Sequence, residues 1–480
     1  MPTEATARPA KQPSAGLVRG LSLLDATLLV IGGTVGSAIF LVPSDVARAL
    51  PAPPLFLGVW VAGGVVSLMA ALAFAELGAM FPEAGGQYVY LREAYGDLAA
   101  FLYCWMMFVA GSSGGIATIA VAFATYLGKV VRPLAAELVV LSLPGLGLKS
   151  GHIVQTAWRL TRGDLVALAA IVLLTMINVA GLRPAVILQN LATWMKYAAI
   201  AAFVIFGFLV GKGSWAHFNS GGVGEAFSGG LPLLMTAMGI AFISVFWAYE
   251  GWVYVAWMAG EIRRPERTIP RSLVLGVLAV MVLYGAVNAA YLYAMPTSDI
   301  ARQDAVGQMA AQLLFSPSAA FWISAVIAIS CLGAASSNIM GGARVVYAMA
   351  HDGLFFRRMG RVHPRYRTPD FALIAQGILS CAIALTGTYD QLFTYTVFGM
   401  VLSYLATIFG LLILRRTRPG LPRPYRCWGY PWMPALYLVL IAGWLANTTL
   451  ERPREAWSCL VLLAIGLPGY LYWRTRHVKP

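Results

Sequence analysis

The stretch Gly32-Gly33-Thr34-Val35-Gly36-Ser37-Ala38-Ile39-Phe40 lies inside a membrane-length apolar segment that runs from Leu21 to Leu50. Its three glycines and two hydroxyl residues favour helix poorly, so the backbone breaks and leaves N–H and C=O groups unpaired. Hydrocarbon cannot satisfy such groups, and irregular backbone at mid-depth survives only where it lines a protected cavity. Inward-facing amides at a helix break suit a small anion such as a carboxylate, with no buried cation needed. This segment therefore predicts a bundle of membrane helices built around a broken span.

The whole chain has the matching composition. Of its 480 residues, 59% are hydrophobic and only 11% charged, against an apolar share of roughly 45–50% in soluble domains. The net charge of +14 does not indicate nucleic acid, because the basic residues sit between apolar spans and form no stripe interleaved with stacking aromatics. Five cysteines are scattered without CxxC pairing or regular spacing to the histidines, so neither a metal site, a cofactor nor a disulfide framework is expected.

Windows of about 20 apolar residues fall near 21–49, 55–81, 97–126, 163–181, 187–211, 230–259, 272–295, 318–350, 370–388, 391–414, 431–449 and 456–473. The expected fold is an all-α polytopic membrane protein of twelve transmembrane helices. Residues 1–20 read as a disordered cytoplasmic tail, 21–415 as a transport core of spans 1–10, and 416–480 as spans 11–12 with a cytoplasmic tail. With the N-terminus inside, inner segments hold 23 Lys and Arg and outer segments 10, with Lys196 alone inside a span. That bias puts both termini in the cytoplasm of a cell inner (plasma) membrane. The long outer connection, about 127–162, folds over the outer face as a spacer or a lid.

Span 6 repeats the anomaly of span 1. Phe246-Trp247-Ala248-Tyr249-Glu250-Gly251-Trp252 puts an acid, a glycine and four aromatics at mid-membrane. Two interrupted spans five helices apart predict a five-plus-five inverted repeat, with broken spans 1 and 6 meeting at a midplane site. Amides around Gly36, Ser37 and Ala38 would bind the carboxylate of an α-amino acid, and carbonyls near Trp247, Ala248 and Glu250 would accept from its ammonium. Glu250 either satisfies loosened backbone donors, binds a cationic substrate or handles protons. Trp247 is either packing or an aromatic gate that covers the substrate.

Lys196, nine residues into span 5, is costly in hydrocarbon unless it meets a partner. It reads as a fixed cation bonded to the unwound backbone of span 1 and to span 8, where Ser336, Ser337 and Asn338 offer oxygens. Such a charge would stand where a coupling sodium ion could sit, making sodium dependence unexpected. On the inner side, Glu76 and Glu83 after span 2 and Glu261, Arg263, Arg264 and Glu266 after span 6 read as either a charged gate or solvated loops.

Together the motifs resemble the amino acid/polyamine/organocation transporter superfamily, most closely its L-amino-acid transporter family. They are GSAIF (Gly36–Phe40), AELGAMFPEAGGQYVYL (Ala75–Leu91), FWAYEGW (Phe246–Trp252), EIRRPERTIPRS (Glu261–Ser272) and ARVVYAMAHDG (Ala343–Gly353). The resemblance implies alternating access, substrate held between spans 1 and 6, Ser37 and Ala38 on the carboxylate, Trp247 as the gate, and Lys196 as the span 5 lysine of sodium-independent members. Three departures stand out. Ala38 replaces the glycine at the third position of the usual Gly-Ser-Gly, where a methyl would crowd the carboxylate and oppose positive φ. Ser112 and Ser113 stand where many relatives have proline in span 3. No cysteine follows span 3 in the outer loop, so no disulfide-linked heavy subunit is expected.

The expected function is a sodium-independent secondary transporter or exchanger of amino acids, neutral L-amino acids favoured. The alternative is a proton-coupled cationic amino acid or polyamine carrier using Glu250. An enzyme is not expected, since no nucleophile and base pairing, metal spacing or phosphate loop appears.

Overall fold

Ser22 and Asp25 start the first helix: Ser22 Oγ accepts from the Asp25 amide at 3.2 Å, and the Asp25 carboxylate accepts from the Ser22 amide at 2.9 Å. This reciprocal cap opens α1 (Leu23–Thr34) in a computed structural model that describes residues 16–131, 134, 137–149, 152–219, 230–386, 389–451 and 453–477. The chain leaves α1 at Val35, whose φ of −78° and ψ of 92° are extended, and resumes as α2 (Ala38–Leu41) and α3 (Pro43–Ala49). Most of the expected tail, residues 1–15, lies outside the described residues. Its last residues are held in place: Gly20 and Leu21 both donate to the Glu261 carbonyl at 2.9 Å, and Leu21 bridges Ile262 in parallel.

The long α4 (Pro53–Met80) is followed by α5 (Gln87–Tyr95), and α6 (Asp97–Met106) continues through a π turn into α7 (Ser112–Val130). Next come α8 (Arg162–Val179) and α9 (Leu182–Val210). The second broken element is α10 (Gly230–Ala248), a turn, then α11 (Tyr254–Trp257). After it lie α12 (Pro265–Ala294), the short α13 (Thr297–Ile300) and α14 (Val306–Leu314), α15 (Ala319–His351), α16 (Asp370–Thr386), α17 (Tyr389–Thr417), α18 (Trp432–Glu451) and α19 (Pro453–His477).

Ten helices among the described residues are long and apolar enough to cross a membrane. Their faces agree with that reading, since Leu173, Met176, Leu209, Val282, Ile378, Val439 and Trp457 are among the exposed large apolar residues, a coat unsuited to water. Two further apolar helices, α1 and α16, are shorter, at 12 and 17 residues. The expected all-α character holds for every membrane-length element; one strand pair, Glu137–Lys149 with His152–Thr161, forms an antiparallel hairpin in the long connection between α7 and α8. Its ladder skips from Leu143 to Gly147, the interval that holds Pro144, which has no N–H to donate.

The apolar core divides where the helices break. Leu21, Ala26, Leu29 and Val30 belong to one cluster, whereas Ile31, Val35, Ala38, Ile39 and Phe40 belong to another. The second broken element divides the same way, Val245 and Ala248 falling in the latter and Trp252 to Ala259 in the former. The two irregular segments thus share one level of the bundle.

Candidate functional site

At that level the two breaks touch through backbone. Gly251 has φ +117°, open to glycine alone, and a Cβ there would stand 2.9 Å from the Thr34 amide and closer still to the Gly33 carbonyl. A Cβ on Gly33 would in turn meet the Gly251 carbonyl at 2.9 Å. A third group ties them. The Tyr284 hydroxyl, from α12, lies 3.1 Å from Thr34 O and 2.9 Å from Ala248 O, so its single proton serves a carbonyl on either break. Nothing in the sequence marks Tyr284 beyond Asn288 one turn on, which donates back to Tyr284 O at 2.8 Å.

The break in the first span leaves three donors open. Among the described residues, the amides of Gly36, Ser37 and Ala38 have no hydrogen-bond acceptor. Gly36 and Ser37 are partly exposed, and a Cβ at Gly36 would meet no atom within 4 Å, so there is room beside these donors. Ser37 is helical at φ −73°, and Ala38 begins α2 with no positive φ. The anticipated backbone conflict at Ala38 is therefore absent, and its methyl is buried in the apolar cluster that also holds Ile39 and Phe40. On the opposite break, Trp247 O already accepts from the Glu250 amide at 3.1 Å and Ala248 O from Tyr284. The Glu250 carbonyl has no donor among the described residues. Trp247 is partly buried against the cluster that holds Ala38, a placement that suits packing and gating alike.

The Glu250 carboxylate accepts from the Tyr404 hydroxyl of α17.

Lys196 is 1% exposed and lies on α9. Its ammonium donates to Gly32 O at 3.1 Å and to Val35 O, the carbonyls on either side of the point where α1 unwinds. Ser330 Oγ of α15 donates to the same Val35 O at 3.2 Å. The expected contacts with Ser336 and Ser337 are not formed. Ser336 Oγ accepts from Asn178 Nδ2 at 3.5 Å and Ser337 Oγ donates to Gly333 O at 3.0 Å. They lie roughly 9–10 Å further along the helix than Ser330, an offset that no single-span reading can supply. Asn338 Oδ1 accepts from Ser112 at 2.6 Å, and Ser112 accepts from Gln376 at 2.7 Å, so Ser112 joins α7, α15 and α16 instead of lining the break. The rest of α9 lies along α1, with Gln189 Nε2 donating to Leu28 O at 2.8 Å and Asn190 to Asp25 at 2.7 Å.

Residues 21–465, a span holding both breaks and Lys196, match the family profile described as amino acid permease. The chain belongs to the amino acid permease family. Its motif resemblance to the L-amino-acid transporter family stands, and it is a transporter, not an enzyme. Among similar proteins are the human b(0,+)-type amino acid transporter 1, 28% identical, with 96% of this chain and 87% of that one covered. The serine/threonine exchanger SteT of Bacillus subtilis (strain 168) is 28% identical over 95% of this chain and 96% of its own. The mouse Asc-type amino acid transporter 1 is 27% identical over 96% and 82%.

The charged residues after α4 and after α11 make contacts that the sequence did not pair. Glu261 faces Arg344 of α15 in a two-pronged ion pair, Nε to Oε2 at 2.8 Å and Nη2 to Oε1 at 3.0 Å, with both side chains 1% exposed. Glu76 holds Arg415 at 2.5 and 2.9 Å, and Glu83 reaches Arg92 at 3.5 Å. No ion pair among the described residues joins the loop after α4 to the segment after α11. Backbone does so instead: the Gly85 amide donates to Trp257 O at 3.0 Å, and a Cβ on Gly86 would stand 2.8 Å from Ala256. Buried carboxylates need a full set of partners, and these lie on distant helices, so the reading of one charged loop against another is corrected.

Proposed function

We propose that this permease is a sodium-independent exchanger of neutral L-amino acids. It works by alternating access in a fold of twelve spans, with α1–α3 as span 1, α16 as span 9, and a five-plus-five inverted repeat. Both termini lie in the cytoplasm of the plasma (inner) membrane, as the bias of cationic residues supports. The observation that carries this reading is the Lys196 ammonium on Gly32 O and Val35 O. A fixed cation there supplies the unwound carbonyls with the positive charge that a bound sodium ion would otherwise bring. The unpaired amides of Gly36, Ser37 and Ala38 take the substrate carboxylate, the Glu250 carbonyl accepts from its ammonium, and Trp247 covers it. Main chain reads the zwitterion, which supports amino acids as a class. The names of relatives, one of them an exchanger of serine and threonine, point the same way.

Uptake of labelled serine, alanine, leucine and arginine into proteoliposomes tests this reading. Counter-transport that needs internal amino acid and ignores sodium is expected; uptake driven by a sodium gradient overturns it. Lys196→Met removes the charge-assisted bonds to two carbonyls, each class of bond being worth about 1.5–3 kcal/mol. Transport is expected to fall roughly ten- to a hundredfold, with the protein still in the membrane, as read by surface labelling.

Glu250→Gln keeps an acceptor for the Tyr404 hydroxyl. The variant is expected to retain transport of neutral substrates with the same order of preference. A switch from cationic to neutral substrates in the same competition panel would instead favour the proton-coupled carrier of cations.

A further inference from the structure

A groove at the inner end of α16 has a composition that no transport role uses. It is lined by Phe356, Arg357, Arg358 and Met359 from the turn after α15, and by Phe371, Ile374, Ala375 and Ile378 from α16, and it encloses about 870 Å³ of atom-free space, part of it open to the surroundings. Positions 371, 374, 375 and 378 follow the i, i+3, i+4, i+7 pattern of one helix face, and Phe371, Ile374 and Ile378 are exposed. The opposite face, with Ala372, Leu373, Gln376 and Gly377, is buried in the bundle.

We propose that this groove binds one anionic phospholipid, acyl chain against α16 and headgroup phosphate on Arg357 and Arg358. Three observations choose this occupant. Arg357 and Arg358 are exposed and neither has a carboxylate within salt-bridge distance among the described residues, while Asp370 is not part of the lining. Guanidinium groups match phosphate oxygens in pairs of donors. The aromatic residues beside the groove suit headgroup level: Phe356 packs edge-on against Trp473 at 5.1 Å, and the neighbouring Tyr472 is exposed, side chains of the type enriched at a membrane boundary.

Length supplies the third reason. The 17 residues of α16 span only about 26 Å, less than the roughly 30 Å of a hydrocarbon core. A short span draws the bilayer surface inward or relies on long polar side chains at its ends. Two arginines beside its apolar inner end hold a headgroup at that lowered level. The assignment to the inner leaflet rests on the orientation proposed above; binding of the lipid itself does not.

The test uses the full chain, purified in detergent and stripped of lipid, with native mass spectrometry and thermal melting as readouts. Added phosphatidylglycerol is expected to give a retained adduct and a raised melting temperature, and phosphatidylcholine neither. Arg357→Gln/Arg358→Gln is expected to weaken phosphatidylglycerol binding roughly 30-fold, about fivefold for each surface arginine. Arg361→Gln/Arg365→Gln removes the same charge outside the groove and is expected to leave binding intact. Equal retention of both lipids, equal loss in both double variants, or displacement of the lipid by millimolar inorganic phosphate would each overturn the proposal. The melting temperature of each variant without lipid identifies a folding defect, and Arg357→Lys/Arg358→Lys, which keeps the charge, is expected to restore binding in part. None of these measurements depends on which amino acid is transported.

Discussion

Gly251→Ala is expected to abolish transport and to lower the yield of folded protein, whereas Gly36→Ala is expected to leave the fold intact and weaken substrate binding. The two glycines stand on opposite breaks and differ in what surrounds them. At Gly251 a methyl meets a backbone with φ +117° and the main chain of Gly33 and Thr34, atoms that no side-chain rotation can move aside. Left-handed backbone costs an L-residue roughly 1–2 kcal/mol, and forcing a methyl into packed structure adds about 1–3 kcal/mol. At Gly36 the same methyl enters open space beside three unpaired amides. In the proposed reading it crowds only the carboxylate. Melting temperature and the concentration dependence of uptake, measured on both variants, separate the effects; a Gly251→Ala protein that melts and transports like wild type would show that the two breaks do not depend on their contact.

Removing Arg344 is expected to be as damaging, for a different reason. Arg344→Ala leaves the Glu261 carboxylate buried without its cation, a change that costs roughly 3–5 kcal/mol in comparable buried pairs. Glu261→Gln/Arg344→Met, which takes out both charges and keeps the volume, is expected to recover most of the loss. Thermal melting of the single and double variants gives the coupling directly. If Arg344→Ala melts within about 1 kcal/mol of wild type, beyond the range for a buried pair, the ion pair is not what holds the inner face. Transport by the double variant is a separate readout: intact stability with lost exchange would assign the charges to the working cycle.

The sequence carried the first-order layout because its signals are local. Glycine density and hydroxyl residues located the breaks, and apolar windows located helices that the structure places within a few residues. What it could not carry depends on partners far along the chain. Gly32 and Gly33 read as helix breakers, yet both remain in α1. They are small because Gln189 and Thr193 crowd the first and Gly251 with Tyr254 the second. A glycine that permits close approach looks the same in sequence as one that ends a helix. The partners of Lys196 were half visible for the same reason: a buried lysine announces its need for oxygens, but whether Ser330 or Ser336 faces the break depends on how α15 is rotated. Tyr284 gave no warning, since a tyrosine in an apolar span is unremarkable until its hydroxyl is seen between two carbonyls.

The bridge between Leu21 and Ile262 has a mechanical meaning. Glu261 O accepts from both Gly20 and Leu21, and the Arg263 amide donates back to Leu21 O at 2.9 Å. The start of the first broken span and the end of the second are thereby yoked, main chain to main chain, with no side chain needed to transmit a pull. A force that swings one end outward swings the other with it unless three backbone bonds part. The ends of the two broken spans are thus coupled through backbone, and the Arg344–Glu261 pair ties α15 to the same point.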